Sequence, residues 1–302
     1  MSDSAKQSGQ ALLIVLLSMA VVLTIVLSVF SNSVTDIAVT TSEAESLRAF
    51  SAAEAGVEKA LVALAPQNGS FGQDLFQTSI TNFAEGKQSF IYPLNLSVGD
   101  DAVLWFVSHN ASEALSCSDP TKPCFTGSRI VVCWGREGTP AGLATTPAIE
   151  TSIFYSSPPV VGGNYSGIRI AREVTDPNSS RRSQNSFSAP DAGGCSIDDK
   201  NFAFKKTLVF APLGILPAVS SAQNGLQFAQ VRMVYNTDGP QTIGFDANIA
   251  GAGNSPFPSQ GKQISSEGTA GDATRKVEVY KLYGSVASNM SASIFSSGSL
   301  TK

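Results

Sequence analysis

Residues 9–30 read GQALLIVLLSMAVVLTIVLSVF, and the reading of that stretch decides what the rest of the chain is for. Ala11 to Phe30 carries no charge and, at about 1.5 Å per residue, is long enough to cross a bilayer as a helix. Its polar side chains are Ser18, Thr24 and Ser28, whose hydroxyls can bond back to the helix. A secretory signal has a shorter apolar core, roughly 7–15 residues, with a small-residue cleavage site just behind it. Lys6 precedes the stretch and Asp36, Glu43 and Glu45 follow it, which by the positive-inside tendency puts the C-terminal part outside. A membrane anchor (11–30) with an external domain is expected.

The helical signal runs on past the anchor. There is no proline between Gln10 and Pro66, and glycine occurs there only at Gly56. From Leu47 the large apolar positions are Leu47, Phe50, Val57, Leu61 and Leu64, a heptad-like stripe with Glu54 in the vacant seam position. One helix over 10–65 is therefore predicted, roughly 80 Å long. Glu54 reads either as a partly exposed residue paired with Arg48 or Lys59, or as a contact fixing the helix to a neighbour. Gly56 costs a helix about 1 kcal/mol relative to Ala, and a close approach of a packed strand or helix would offset that.

Beyond a connector at 66–85 the pattern is β. SFIYPLNLSV, AVLWFVSH, SRIVVCWG, AIETSIFYS, SGIRIAREV, KKTLVFAP, LQFAQVRMVYN, RKVEVYKLY and MSASIFSS are short and rich in Val, Ile, Phe and Tyr, with turn residues between them. The predicted class is α+β: the long helix, then a β-rich domain over 86–302, sandwich-like or a single antiparallel sheet, packed on the helix's amphipathic half. Trp105 and Trp134 are expected in the core. Gly/Ser/Pro/Asn-rich stretches at 157–166, 175–200 and 246–274 read as surface loops, where an adhesive surface would lie.

Charged residues make up 15 % of the chain and the net charge is −4, which argues against a nucleic-acid partner. Cys117 and Cys124 flank the turn-forming DPTKP, so a small disulfide loop is expected; Cys133 and Cys195 could pair as well. Four cysteines allow three connectivities, and four reduced buried thiols are the alternative. No cofactor, metal or catalytic signature is read: His109 is the single histidine, and no nucleophile elbow or P-loop occurs. Asp191, Asp198 and Asp199 around Cys195 read as a solvated loop rather than a calcium site.

SGQALLIVLL followed by RAFSAAEAGVEKAL resembles the N-terminal region of PilX-type minor pilins, within the type IV pilus and type II secretion pseudopilus superfamily. The resemblance covers about residues 6–65, and residues 258–281 (PSQGKQISSEGTAGDATRKVEVYK) have a looser likeness to such surface proteins. It implies a leader over 1–9, cut by prepilin peptidase after Gly9, with Gln10 as the methylated first mature residue. It also implies insertion in the bacterial cytoplasmic membrane, handling by a pilus assembly platform, and packing against other pilin subunits through Ile14, Leu47, Phe50, Glu54, Gly56, Val57 and Leu61. Relatives carry a glutamate at the fifth mature position, where this chain has Ile14. That glutamate is thought to neutralise the buried terminal amine of the subunit ahead, since an unpaired buried charge is very costly. A subunit without it is expected first in the filament, at the tip. The alternative is a membrane-tethered β-domain that binds a glycan or protein and never assembles; an anchored hydrolase is a weaker third.

Overall fold

The structure, a computed structural model, describes residues 7–122 and 124–284. Helix α1 spans Gln7–Ala63. After it come β1 (Asn68–Phe71), β2 (Asp74–Phe83), β3 (Ser89–Ile91), β4 (Asp101–Trp105), β5 (Arg129–Arg136), β6 (Ala148–Ser156) and β7 (Ile168–Thr175). A short α2 (Ser179–Asn185) precedes β8 (Cys195–Ile197) and β9 (Lys200–Val209). Then follow α3 (Pro217–Ser220), β10 (Leu226–Val234), β11 (Ile243–Asp246), β12 (Gly261–Ala270) and β13 (Ala273–Leu282). The class is α+β, a long N-terminal apolar helix followed by antiparallel sheets. The expected strand MSASIFSS (290–297) and the leader residues 1–6 lie outside the described residues.

Helix α1 holds together across its polar, β-branched middle because the hydroxyls are satisfied locally. Thr35, Thr40 and Thr41 donate to the carbonyls of Ser31, Asp36 and Ile37, four residues back, at 2.8–3.0 Å. Inside the apolar span Ser18 and Thr24 donate to Val15 and Val21. The helix ends where Leu64 turns left-handed (φ 49°), its N–H donating to Ala60 O, and Pro66 blocks any continuation.

The chain forms two compact units that interleave in sequence: one takes the residues through Ile80 together with Ile264–Val279, the other Thr81–Gln263 and Tyr280 onward. In the first, the face of α1 formed by Ala49, Ala52, Ala53, Gly56, Val57 and Ala60 is buried. Strands β1, β2, β12 and β13 belong to one sheet in the order β1-β2-β12-β13. Residues 66–85, read above as a connector, are largely the β1–β2 hairpin, and most of the expected loop 246–274 beyond Ser259 is strand β12. β12 was missed because its inward row, Ile264, Ser266, Gly268 and Ala270, is nearly all small residues, which have little strand character of their own.

The second unit holds two sheets, ordered β4-β10-β6-β7 and β3-β11-β5-β9-β8, with antiparallel pairing throughout. One apolar core draws on both, from Leu104, Ile153 and Met233 of the first to Trp134, Phe245 and Leu208 of the second. Its aromatic centre is a chain of rings: Phe106–Phe125, Phe125–Phe257 and Phe90–Phe257 have centroids 5.2, 5.3 and 5.5 Å apart. Trp134 is fully buried, its indole N–H donating to Pro147 O at 2.9 Å. Trp105 is buried too, but its neighbour Leu104 is the one pointing into this core. Trp105 packs on the opposite face, beside Phe228 and His109.

The expected loop 175–200 contains α2 and β8 instead of running irregular. Asn178 caps α2 by accepting from the N–H groups of Ser180 and Arg181. Asp176, fully buried, accepts from Arg181 Nε (2.9 Å) and Nη2 (2.7 Å), from Asn178 N (2.8 Å) and from Asn185 Nδ2 (3.0 Å). A polar segment thus folds by satisfying itself, which hydrophobic patterning does not reveal.

Candidate functional site

The residues singled out in the sequence fall along α1 in three zones. Gly9 and Gln10 lie within its first turns, and Gln10 is exposed. Ile14 is 64 % exposed, like the whole apolar span around it. Among the described residues one helix, Gln10–Ala63, is long and apolar enough to cross a membrane, and the apolar stretch is unburied by the protein itself.

The third zone is the docking turn of the helix. Here the packing differs from the predicted heptad stripe. Leu47 and Phe50 are 69 % and 44 % exposed, Glu54 is exposed, Leu61 is half-buried, and of the large residues only Val57 turns fully inward at 6 %. The buried stripe is made of small residues one helical step away: Ala49, Ala52, Ala53, Gly56 and Ala60, spaced 3, 1, 3 and 4. That spacing is legible in RAFSAAEAGVEKA, but a search for large apolar positions passes over it. The correction has a steric cause. A Cβ on Gly56 would meet the Ser266 hydroxyl and lie 2.8 Å from Phe76 Cδ2. A Cβ on Gly268 would strike Ala49 O and lie 2.5 Å from Ala53 N. Helix backbone and strand backbone touch here, and no leucine would fit between them.

Polar contacts fix the helix in the same unit. Glu45 accepts from the Asp272 N–H (3.3 Å) at the tight β12–β13 turn, where Gly271 has φ 56°. Arg275 Nε donates to Ser46 Oγ at 2.8 Å, and Arg48 lies 3.9 Å from Asp74. Lys59 stands over the Phe76 ring, 4.8 Å from its centroid. On the outward face, Asn68, Ser70, Leu75, Gln77, Glu267 and Thr269 line an open groove of about 620 Å³.

No family model, curated protein or solved structure matches the chain.

The four cysteines pair as Cys117–Cys124 and Cys133–Cys195, with Cα separations of 5.4 and 5.9 Å. Asp191 is taken up by structure, accepting from Thr207 N at 2.7 Å. His109 is buried, stacked on Tyr283 with centroids 3.7 Å apart and edge-on to Trp105 at 4.8 Å. Burial pushes its imidazole down to about 4, with the nearby Glu113 carboxylate pulling the other way. Among the described residues, neither Trp105 Nε1 nor His109 Nδ1 has a hydrogen-bond partner. Exposed apolar side chains gather along 161–170: Val161, 79 % exposed, with Tyr165, Ile168 and Ile170. The last two lie on β7, the edge strand of its sheet.

Proposed function

We propose that the chain is a PilX-type minor pilin, a non-enzymatic structural subunit of a type IV pilus, placed at or near the filament tip. The observation that carries this reading is the single helix Gln7–Ala63, apolar and unburied at one end and clamped on a strand pair through small residues at the other. A receptor anchor needs no rigid extension into its domain. A subunit that bundles by its helix does, and the exposed Leu47 and Phe50 continue an apolar surface beyond the span. In this reading the leader 1–9 is removed by prepilin peptidase at Gly9–Gln10. The subunit waits in the cytoplasmic membrane with its C-terminal part outside, and the assembly platform then adds it to other pilins through the helix. The two sheets sharing one core would be the layers of a sandwich-like external domain. Ile14, where relatives place an acid, fits a subunit with no neighbour ahead whose amine must be neutralised.

Mass spectrometry of the mature N-terminus tests the reading. A chain that begins at methylated Gln10 is the expected result. An intact Met1, or cleavage beyond Phe30, excludes it.

The second reading, a membrane-anchored β-domain that binds a glycan or protein without assembling, draws on the exposed Val161, Tyr165, Ile168 and Ile170 and on the groove along Leu75 and Glu267. It predicts the uncleaved N-terminus that the first reading forbids.

A further inference from the structure

At the end of β2 the chain makes an unusual local arrangement. Lys262 Nζ donates to Asn82 Oδ1 at 2.5 Å, and Asn82 Nδ2 donates to Glu85 Oε2 at 2.5 Å. Asn82 follows the buried Phe76 and Thr78 in the alternation of β2, and Lys262 precedes the buried Ile264 and Ser266 in that of β12. Both therefore lie on the inward rows of adjacent strands, and both are half-buried. Ala84, a buried non-glycine residue, is left-handed (φ 59°), and this bend brings Glu85 back to the carboxamide three residues earlier. Such backbone strain tends to persist where function needs it. Among the described residues no carboxylate lies within 4.0 Å of Lys262 Nζ, so no ion pair draws it away from the carboxamide.

We propose that Lys262, Asn82 and Glu85 form an intramolecular amide cross-link between β12 and β2. The amine already touches the carboxamide and has only to swing from the amide plane onto its face. Nζ gives up one ammonium proton to water, which the departing ammonia later takes back, and bonds to Cγ of Asn82 while the carbonyl electron pair moves onto Oδ1. In that intermediate Nζ and Nδ2 sit on one carbon, so the Glu85 carboxylate beside Nδ2 is within reach of both. It accepts the proton released from Nζ and delivers it to Nδ2. The Cγ–Nδ2 bond breaks, ammonia leaves, and the carbonyl reforms as a secondary amide. Overall, the lysine ammonium and the carboxamide give an amide and one ammonium ion; no oxidant or cofactor is required. The bond ties the point where the chain enters its second unit to the point where it leaves. This inference is independent of the pilin reading.

The test is the denatured, reduced mass and tryptic map of the full-length chain extracted from membranes in detergent. Wild-type protein is expected to lack the mass of one ammonia and to resist trypsin after Lys262. It should yield a branched peptide joining residues 60–87 to residues 233–275. Asn82→Ala and Lys262→Arg should give only linear peptides, and Glu85→Gln should lower the yield of branched product on the order of tenfold over equal incubation. Wild-type chain with its full mass and ordinary cleavage at Lys262, after prolonged incubation of folded protein, overturns the proposal. So does ammonia loss that maps elsewhere, such as cyclisation of an exposed Gln10. A branched peptide undiminished in Glu85→Gln removes Glu85 from the chemistry.

Discussion

Asp176 shows how much rests on single polar side chains in this chain. Its carboxylate is fully buried and receives four hydrogen bonds, two of them from Arg181, which also lies 4.1 Å over the Tyr235 ring. Burial works to raise its pKa and is outweighed by the hydrogen bonds of Arg181, Asn178 and Asn185. Asp176→Ala leaves the guanidinium without its acid and should cost about 3–5 kcal/mol in denaturant unfolding. His109 titrates in the opposite sense to a salt-bridged histidine. Its folded value of about 4 lies below the ordinary 6.5, so the unfolded chain binds the extra proton first. The stability it contributes is complete above pH 6.5 and is lost as pH falls through about 4. Among the charged groups near it, Glu113 is ion-paired with Lys281. His109→Gln should flatten the decline of melting temperature across that window, read by a pH series of thermal scans.

At the scale of elements, the helix and the disulfides make separate claims. Gly56→Leu drives a side chain into Phe76 and Ser266, and should destabilise the clamp by about 1–3 kcal/mol, measured by chemical denaturation. The two disulfides close loops of very different size, with sequence separations of 7 and 62. On the chain-entropy account, removing Cys133–Cys195 as a double serine variant should cost about 2 kcal/mol more than removing Cys117–Cys124. Comparing the two variants in guanidinium unfolding checks this. The long helix was legible because a proline-free run and a charge-free span leave few alternatives. Strands β5, β6 and β10 were legible because β-branched and aromatic residues fill them. The small-residue face of α1 and its partner β12 were not, because Ala, Gly and Ser carry little hydrophobic signal although they allow the closest packing. The β1–β2 hairpin escaped for a related reason: Thr78 and Asn82 on the inward row and the exposed Leu75 on the outward one blur the alternation of β2.

For the molecule as a whole, the proposed place in a filament is tested at Ile14. Ile14→Glu should still insert in the membrane but move from the tip into the shaft, seen by immunogold labelling; label already spread along wild-type shafts rejects the tip assignment. The order of synthesis adds a further consequence. The unit that clamps α1 is split in sequence, and its second piece, Ile264–Val279, is translated only after Thr81–Gln263. As the chain emerges, the helix waits with Ala49 and Ala53, which Gly268 of β12 meets, uncovered until all of Thr81–Gln263 has been made. A chain that stops before β12 therefore has a helix whose alanine face lacks the strand that closes it. Closure of that face thus reports that synthesis has passed Gly268, long after the helix itself was made.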